Sequence, residues 1–402
     1  MLLFKTVFGV DMQSEKIELI RQLAQRALGM IKAVDCNTKA DKHFLLNRKK
    51  VVTKRKLPPY YLVYFLLVDL LGFKNLGQFE KIDWSISIDF NGKAFLLEHG
   101  KFGLGLYAHD PEGERAATEE IATRVHKAVK AARPFFDYLA RQAVERSEVN
   151  VINNSVQLLC RFEFMRVIYE SKCAELVAER ELHALRVKQN NLPLGTWIVG
   201  GSHLNLKQEA SWLAISAIEA FFSWSEHVLI HVAILTGSTT TASEIADLAA
   251  ADWSRKFKAV FDIAGVEEKA LFDSALSLRQ ELRNYIAHGA FGKNGEAFSF
   301  HSSAGAVPVL LPEKDGSKRF SLGSNLDFDY ELAFSVVDTF VMLLWSGKRA
   351  PAQSYIQGSS LPAILTLCAD GTYSRAMASV EEMEQLVEYL SNVADQAANM
   401  DW

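Results

Sequence analysis

Residues 277–289 carry the side chains whose types and spacing are best suited to chemistry. An amphipathic helix is predicted to end at this point, and its last turns hold Arg283, Asn284 and His288. A histidine of near-neutral pKa can exchange protons, and an arginine can hold a phosphate and stabilise the charge of a transition state. Because RNA is cleaved without a metal when its 2′-OH attacks the adjacent phosphate, these residues suit phosphodiester cleavage.

The helical positions in this segment form two neighbouring stripes. Gln280, Asn284 and His288 follow at a spacing of four and form a polar stripe, whereas Arg279 and Arg283 form a basic one. Arg283 and His288 lie about 140° apart around an ideal helix. The two converge if the last turn loosens, or if a second copy of the helix supplies the partner residue. The second option favours a symmetric dimer.

Residues 283–289 resemble the Arg-polar-x-x-x-His signature of the HEPN superfamily. The active members of this family are metal-independent endoribonucleases, often toxins or abortive-infection and antiphage proteins. The resemblance implies a helical bundle that dimerises so that two motifs face one cleft. It also implies His288 as the proton-transfer residue, Arg283 as the phosphate ligand and Asn284 as the polar positioning residue.

The resemblance covers about residues 205–350 and implies supporting residues as well. Glu219, on an apolar helix upstream, is similar to the acidic residue often found on the first helix of this bundle. Arg279 and Gln280 flank the motif and are expected to support it. Members controlled by a nucleotidyltransferase antitoxin often carry a tyrosine two residues after the histidine. Ala290 at that position speaks against this control.

A zinc site is one alternative. His227 and His231 lie at i, i+4 beside Glu226, which is a spacing that can bind zinc. The sequence has no HExxH motif and offers no obvious third ligand, so two core histidines are the competing interpretation.

A metal-dependent nuclease site is the other alternative. Asp89, Glu98 and Lys101 straddle a predicted hairpin and resemble a PD-(D/E)xK nuclease. The spacing is Glu-x-x-Lys rather than Glu-x-Lys, and polar residues flank most hairpins.

Charge is unevenly distributed along the chain. Residues 1–56 contain 13 Lys and Arg against 5 Asp and Glu, whereas the last 34 residues contain 7 acidic residues against one basic. The basic segment comprises Arg48, Lys49, Lys50, Lys54, Arg55 and Lys56. It predicts electrostatic contact with a nucleic-acid backbone, and a solvated face is the alternative.

Hydropathy patterns predict the elements that position these residues. Helices are expected at 14–33, 60–71, 116–149 with a kink or a break at Pro134, 155–188, 208–235, 242–262, 267–288, 330–344 and 380–397. Alternating residues from Trp84 with Asn91-Gly92 predict a hairpin. Further strands are expected at 297–301, 307–311 and 318–322, and a second hairpin at 363–377 around Asp370-Gly371.

These elements predict an α+β fold that is predominantly α-helical, in four segments. Residues 1–115 form a mixed α/β domain of unknown role, and 116–204 a long helical connector. Residues 205–350 form a HEPN-like helical bundle with a strand-rich insert at 297–322. Residues 351–402 form a C-terminal β-hairpin and an acidic helix.

Composition excludes several classes. The 402 residues are 49% hydrophobic and 23% charged, which rules out disordered, collagen-like and disulfide-framework proteins. A net charge of −4 argues against a uniformly basic nucleic-acid binder. The four cysteines are scattered and expected to be reduced. With no membrane span expected, the sequence predicts a soluble, cytoplasmic protein.

The sequence therefore predicts a metal-independent endoribonuclease that cleaves RNA by 2′-OH attack and acts as a toxin or antiviral effector. RNA and a second copy of the chain are the expected partners, an antitoxin or regulatory protein is a further candidate, and no cofactor or metal is expected. The alternative is a non-catalytic HEPN-like scaffold that binds protein or RNA, with the N-terminal domain as sensor.

Overall fold

The computed structural model describes residues 3–40, 43–189, 201–288, 299–303, 305–308 and 329–400. It is 66% helical and contains a five-stranded antiparallel sheet, which confirms the mixed, mainly helical class. Contacts divide the chain into unit 1, Met1–Arg146 with Tyr389–Trp402, and unit 2, Ser147–Glu388. The division into four segments stays a prediction.

Unit 1 is built on the antiparallel sheet. Its strands are β1 (Ile31–Ala33), β2 (Lys49–Val51), β3 (Ile82–Phe90), β4 (Lys93–Gly100) and β5 (Gly103–Ala108), in the order β1-β3-β4-β5-β2. Asn91 and Gly92 join β3 to β4 with φ of 56° and 78°, which confirms the predicted hairpin. The strand order leaves β2, and with it part of the basic segment, at one edge of the sheet.

Helices cover this sheet. They are α1 (Leu3–Leu28), α2 (Phe44–Asn47), α3 (Tyr60–Tyr64) with a π-helical continuation at Phe65–Leu70, α4 (Arg115–Ala131) and α5 (Arg133–Glu145). The predicted break at Pro134 is confirmed, since proline fits the first turn of α5, where its missing N–H loses no hydrogen bond. The first helix ends earlier than predicted because Gly29 turns the chain with φ 62°, and 31–33 is a strand.

Unit 2 is mainly helical. Its helices are α6 (Ser155–Gln189), α7 (Gly201–Leu235), α8 (Ala242–Ala250), α9 (Trp253–Val260), α10 (Val266–His288), α11 (Tyr330–Leu344), α12 (Ala350–Gln353), α13 (Leu365–Ala369), α14 (Thr372–Ala376) and the first part of α15 (Val380–Asn399), whose residues from Tyr389 onward belong to unit 1. Short strands pair β6 (Asn150–Val151) with β9 (Ala363–Ile364), and β7 (Ser299–Ser302) with β8 (Gly305–Pro308). The strand predicted at 318–322 lies outside the described residues.

The single helix predicted at 242–262 is two helices. Thr241 and Glu244 form a capping box that starts α8. The Asp252 carboxylate accepts a hydrogen bond from the Arg255 N–H (2.8 Å) and starts α9. This local cap breaks the helix where hydropathy alone continues it.

An aromatic cluster fills the core of unit 2 around α7. Phe221 packs edge-on against Phe340 of α11 (5.2 Å between ring centroids), and both rings are fully buried. Trp253 of α9 lies beside Phe257 (5.2 Å), and its indole N–H donates to Ser225 Oγ of α7 (2.9 Å). The cluster therefore joins α7, α9 and α11.

The same helix α7 passes a length and composition test for a membrane span over Asn205–Leu235. Within the protein, 56% of its most apolar window is buried. Core helices pass the same test, and the aromatic cluster accounts for much of the apolar surface of α7.

The C-terminal hairpin predicted around Asp370-Gly371 is wrong. Its first arm begins in β9 and continues as α13, and its second arm is α14. The Tyr373 hydroxyl accepts a hydrogen bond from the Ile364 N–H (2.8 Å) and lies 2.9 Å from the Tyr355 hydroxyl, and both tyrosines are fully buried. Burial of these two rings decides the backbone here, against the alternating pattern.

Two histidines of α7 anchor the loop between β6 and α6. The Asn154 N–H donates to His227 Nε2 (2.9 Å), which requires a neutral imidazole. Burial, and then the neighbouring His231, lowers the pKa of His227 to about 4. Burial also lowers the pKa of His231.

Acid is expected to destabilise unit 2 through these histidines. The unfolded chain takes up protons at both below about pH 6.5, whereas the folded unit keeps His227 neutral down to about pH 4, so stability present above pH 6.5 is lost through that window. The loss is at most about 1.4 kcal/mol per pH unit for each histidine. The His227→Gln variant keeps a hydrogen-bond acceptor but cannot take up this proton. Its free energy of unfolding should therefore fall less than that of the parent between pH 7 and pH 5, as measured by urea unfolding. The exposed His301→Gln is the control, and equal losses in both variants would contradict the assignment.

Candidate functional site

Helix α10 carries the residues singled out in the sequence. It runs from Val266 to His288, so the predicted helix is confirmed. The side chains of Asn284 and His288 lie outside the part of the chain whose side chains are described. Gln280 and Arg283 are exposed, and Arg279 is partly buried.

Arg279 is held against α7. Its Nη2 donates to Glu226 Oε1 at 2.5 Å, and its guanidinium carbon lies 5.9 Å from the centre of the Phe222 ring. Phe222 and Glu226 are one turn apart on α7, so the arginine contacts one face of that helix. This fixes the position of α10 one turn before Arg283.

The same carboxylate also holds a lysine. Lys256 of α9 donates from Nζ to Glu226 Oε2 at 2.6 Å, and this lysine is only 3% exposed. Glu226, Lys256 and Arg279, here called the Glu226 cluster, join α7, α9 and α10. One carboxylate between two cations leaves the cluster with a formal charge of +1.

The sequence predicts Glu219 as a supporting acidic residue, and this stays a prediction; the glutamate of α7 that pairs with Arg279 of α10 is Glu226. Glu219 is exposed and forms no ion pair within the described residues. The two glutamates are seven residues apart, so they lie on the same side of α7 two turns apart. The seven-residue spacing is the signal in the sequence that could have identified Glu226. It identifies this residue only when the position at which Arg279 packs on α7 is known.

Arg283 differs from Arg279 in its surroundings. It is exposed, and it forms no ion pair with any side chain that the structure describes. An exposed guanidinium at this position, one turn after Arg279, can contact an external anion. A planar guanidinium offers paired N–H donors that match a phosphate.

The basic segment of unit 1 divides into one engaged residue and five exposed ones. Arg48 donates from Nη2 to the buried Glu98 (2.6 Å), bonds the Leu45 carbonyl and lies over the Tyr107 ring (5.7 Å). Its role is therefore to neutralise Glu98. Lys49, Lys50, Lys54, Arg55 and Lys56 are exposed. None of these five is in an ion pair within the described ranges.

Backbone contacts fix the second half of this segment on α4. The Lys54 N–H donates to Glu119 Oε1 (2.7 Å), and His126 Nε2 contacts the Lys56 carbonyl (2.6 Å). These contacts hold the main chain while the cationic side chains remain exposed. The arrangement is an exposed, ordered cationic surface.

The hairpin residues proposed as a nuclease site do not converge. Asp89 accepts from the Gly92 N–H in the β3–β4 turn (3.0 Å), whereas Glu98 is paired with Arg48. Glu98 is opposite Ser85, four residues and about 13 Å along β3 from Asp89. Lys101 donates to Asn399. Each residue thus has a separate structural contact.

The histidine pair on α7 likewise has structural contacts. His227 binds the Asn154 N–H, and His231 Nδ1 lies 3.0 Å from the His227 carbonyl. Within the described ranges, no three His, Cys, Asp or Glu side chains are grouped so as to hold a metal ion. The pair belongs to the packing of α7 against the β6–α6 loop.

We expect the Glu226 cluster to contribute to the stability of unit 2. Glu226→Gln removes the charge that compensates the buried Lys256, and should lower the free energy of unfolding by about 2–4 kcal/mol. Lys256→Met removes the buried charge itself and should cost less. The exposed Glu219→Gln is the matched control, expected to change stability by less than about 0.5 kcal/mol. Urea unfolding measures all three, and an equal cost at both glutamates would disprove the assignment.

Comparisons with protein-family models, with curated proteins and with solved structures found no match to this chain. No relative therefore supplies a substrate, a partner or a set of site residues. The features that bear on function are the residues of α10, the Glu226 cluster and the exposed cations of unit 1.

Proposed function

We propose that the protein is a metal-independent endoribonuclease of the HEPN type, which cleaves RNA by attack of the 2′-OH on the adjacent phosphate. The observation that carries the proposal is the contrast between two arginines one turn apart. Arg279 is held by Glu226, whereas Arg283 is exposed and unpaired among the described side chains. An anchored turn followed by an available guanidinium is what a phosphate ligand on a helix requires.

In this mechanism each of the site residues on α10 has a separate role. His288 removes the proton of the 2′-OH or returns one to the departing 5′ oxygen, as general acid and base. Arg283 binds the phosphate and stabilises the charge that develops on its oxygens. Asn284 positions the phosphate or the histidine. Glu226 acts through Arg279, by holding the helix from which these residues extend.

The cellular role proposed with this activity is that of a toxin or antiviral effector. Uncontrolled cleavage of RNA arrests growth, so such an enzyme needs a trigger or a partner that restrains it. RNA is the proposed substrate, and an antitoxin or regulatory protein is a candidate partner. Localisation in the cytoplasm, where RNA is accessible, is part of the same proposal.

A non-catalytic HEPN-like scaffold is the second candidate. It is favoured by the engagement of Arg279, because the Glu226 cluster gives part of the polar surface of α10 a structural role. In that case unit 1 carries the main function as a sensor. The two candidates differ in whether RNA is broken.

Substitutions on α10 test catalysis directly. His288→Ala should lower the rate of RNA cleavage about 10²–10⁴-fold through loss of proton transfer, and Arg283→Ala should act similarly through lost phosphate stabilisation. Arg255→Ala, an exposed arginine of α9, is the matched control and should keep full activity. Purified protein is incubated with total RNA in EDTA, and products are resolved on a denaturing gel.

Three results would contradict this mechanism. These are a folded His288→Ala protein with full activity, an equal loss in Arg255→Ala, and an inactive parent protein in EDTA that recovers with a divalent metal. Absence of any cleavage by the parent, with RNA still bound, would favour the scaffold. Circular dichroism of each variant establishes that the fold is intact.

A homodimer is expected because one motif histidine per chain, His288, is sparse for two proton transfers, and a two-fold axis brings two motifs to one cleft. Light scattering at micromolar concentration should give twice the chain mass. Cleavage per chain should fall on dilution as the dimer dissociates. A strict monomer with constant specific activity would disprove the shared cleft.

A further inference from the structure

Unit 1 contains an open cleft whose walls are aromatic. Its volume is about 340 Å³, within the range of small-ligand sites. Tyr60 and Tyr61 at the start of α3 line the cleft together with Trp84 of β3. Gln78 and Asp83 are polar residues of the lining, and none of the described lining residues is Lys or Arg.

The two tyrosines form a right-angled corner. Their ring centroids are 5.5 Å apart and their planes are inclined by 87°. One face of Tyr60 is stacked on His99 (3.9 Å, 3°), which holds the ring in place. Tyr60 and Tyr61 nevertheless remain 45% and 47% exposed. Ordered, exposed aromatic rings of this kind are stacking surfaces for a planar ligand.

One carboxylate sets the polarity of the cleft. Asp83 Oδ2 lies 3.3 Å from His99 Nδ1, and Asp83 Oδ1 lies 3.5 Å from Gln78 Nε2. The Asp83 side chain keeps 31% of its surface exposed, so it can accept further hydrogen bonds. An acceptor beside a stacking surface matches the N–H donors on the Watson–Crick edge of a nucleobase. Guanine presents two adjacent donors on that edge and fits a carboxylate best.

The adjoining basic segment indicates that the ligand carries phosphate groups as well as a base. Lys56 is four residues before Tyr60, at most about 14 Å along the chain. Lys54, Arg55 and Lys56 are exposed there, on a backbone fixed to α4. A simple ammonium ligand would satisfy the rings and Asp83 but not these cations. A nucleotide or a single strand satisfies both, with its base on the rings and its phosphates at the lysines and arginine.

We propose that this cleft binds an unpaired nucleobase, with guanine preferred, and that Lys54, Arg55 and Lys56 bind the attached phosphates. The base belongs to a single RNA strand or to a free guanine nucleotide, which share this chemistry. The inference rests on the proposed function only in taking RNA as the source of the strand. Unit 1 thereby gains a recognition role that does not depend on cleavage.

Binding is tested on the full-length His288→Ala protein, so that cleavage does not intervene. Fluorescence anisotropy is measured with a labelled eight-nucleotide oligo(U) and with the same strand carrying one central guanosine. Tyr61→Leu should weaken binding of the guanosine strand about 5–150-fold, because base–aromatic stacking is worth about 1–3 kcal/mol. Tyr61→Phe keeps the ring and should bind nearly normally. Phe102→Ala, an aromatic 90% exposed outside the cleft lining, is the matched control.

Two further arms separate the parts of the site. Asp83→Asn should remove the preference for guanosine and leave oligo(U) binding unchanged. Gln substitution of Lys54, Arg55 and Lys56 should flatten the salt dependence of RNA binding. GMP competes at similar affinity to the strand if the ligand is a free nucleotide, and much more weakly if it is RNA. Either result supports the nucleobase site.

The proposal is overturned if Tyr61→Leu and Asp83→Asn bind both strands as the parent does. It is also overturned if tetramethylammonium displaces the strand and GMP does not, which would make the cleft an ammonium site. Cleavage of total RNA by the same substitutions in a chain with His288 intact is measured separately. If the parent cleaves RNA and the cleft substitutions do not change RNA binding, only the nucleobase-site proposal is overturned. If the parent recognises the base but does not cleave RNA, only the nuclease proposal is overturned.

Discussion

The candidate site depends on the two ion pairs that the Glu226 carboxylate forms. This carboxylate accepts from Lys256 of α9 at 2.6 Å and from Arg279 of α10 at 2.5 Å, so one anion fixes three helices. The desolvation of Lys256 makes this attachment costly to break, since a buried cation without its partner is strongly unfavourable. Arg279 is the more exposed of the two cations and transmits the constraint to the surface of α10. The C-terminal end of that helix, which carries the candidate site residues, therefore extends from a turn whose position is set by electrostatics as well as by apolar packing.

Local signals in the sequence predicted much of the fold. The Asn91-Gly92 turn, the break at Pro134 and the long amphipathic helices are each specified within a few residues, and the structure has them. The hairpin prediction for the C-terminal segment failed because hydrogen bonds between buried side chains, rather than the alternating pattern, accompany its backbone: the Tyr373 hydroxyl accepts from the Ile364 N–H and lies against the Tyr355 hydroxyl. An alternating pattern carries no information about such a contact. The same limitation applies to Glu226, whose role appears only when α7 and α10 are packed together.

Charge in this protein is of two kinds, and only the structure separates them. Arg48 and Arg279 look like members of basic clusters in the sequence, yet each is paired with a glutamate, Glu98 and Glu226. The neighbours of each, Lys49 and Arg283, are exposed and unpaired within the described residues. Sequence reasoning could identify both clusters but not divide them, because pairing depends on which acidic side chain is close in space. Counting basic residues therefore overstates the surface available to an anion.

The cleft of unit 1 could not be predicted from the sequence for a similar reason, because the sequence does not separate buried from exposed aromatic residues. Tyr60 and Tyr61 belong to an apolar run that reads as a buried helix, and their neighbours Val63 and Leu66 are indeed fully buried. The first turn of that run lies at the helix start, where Pro58 and Pro59 bring the chain in from the basic segment. Because His99 stacks on Tyr60 and fixes it, the ring is ordered without being enclosed. The exposed tyrosine rings therefore follow the exposed Lys54, Arg55 and Lys56 closely along the chain, where an irregular segment becomes a helix. No periodic pattern marks this junction.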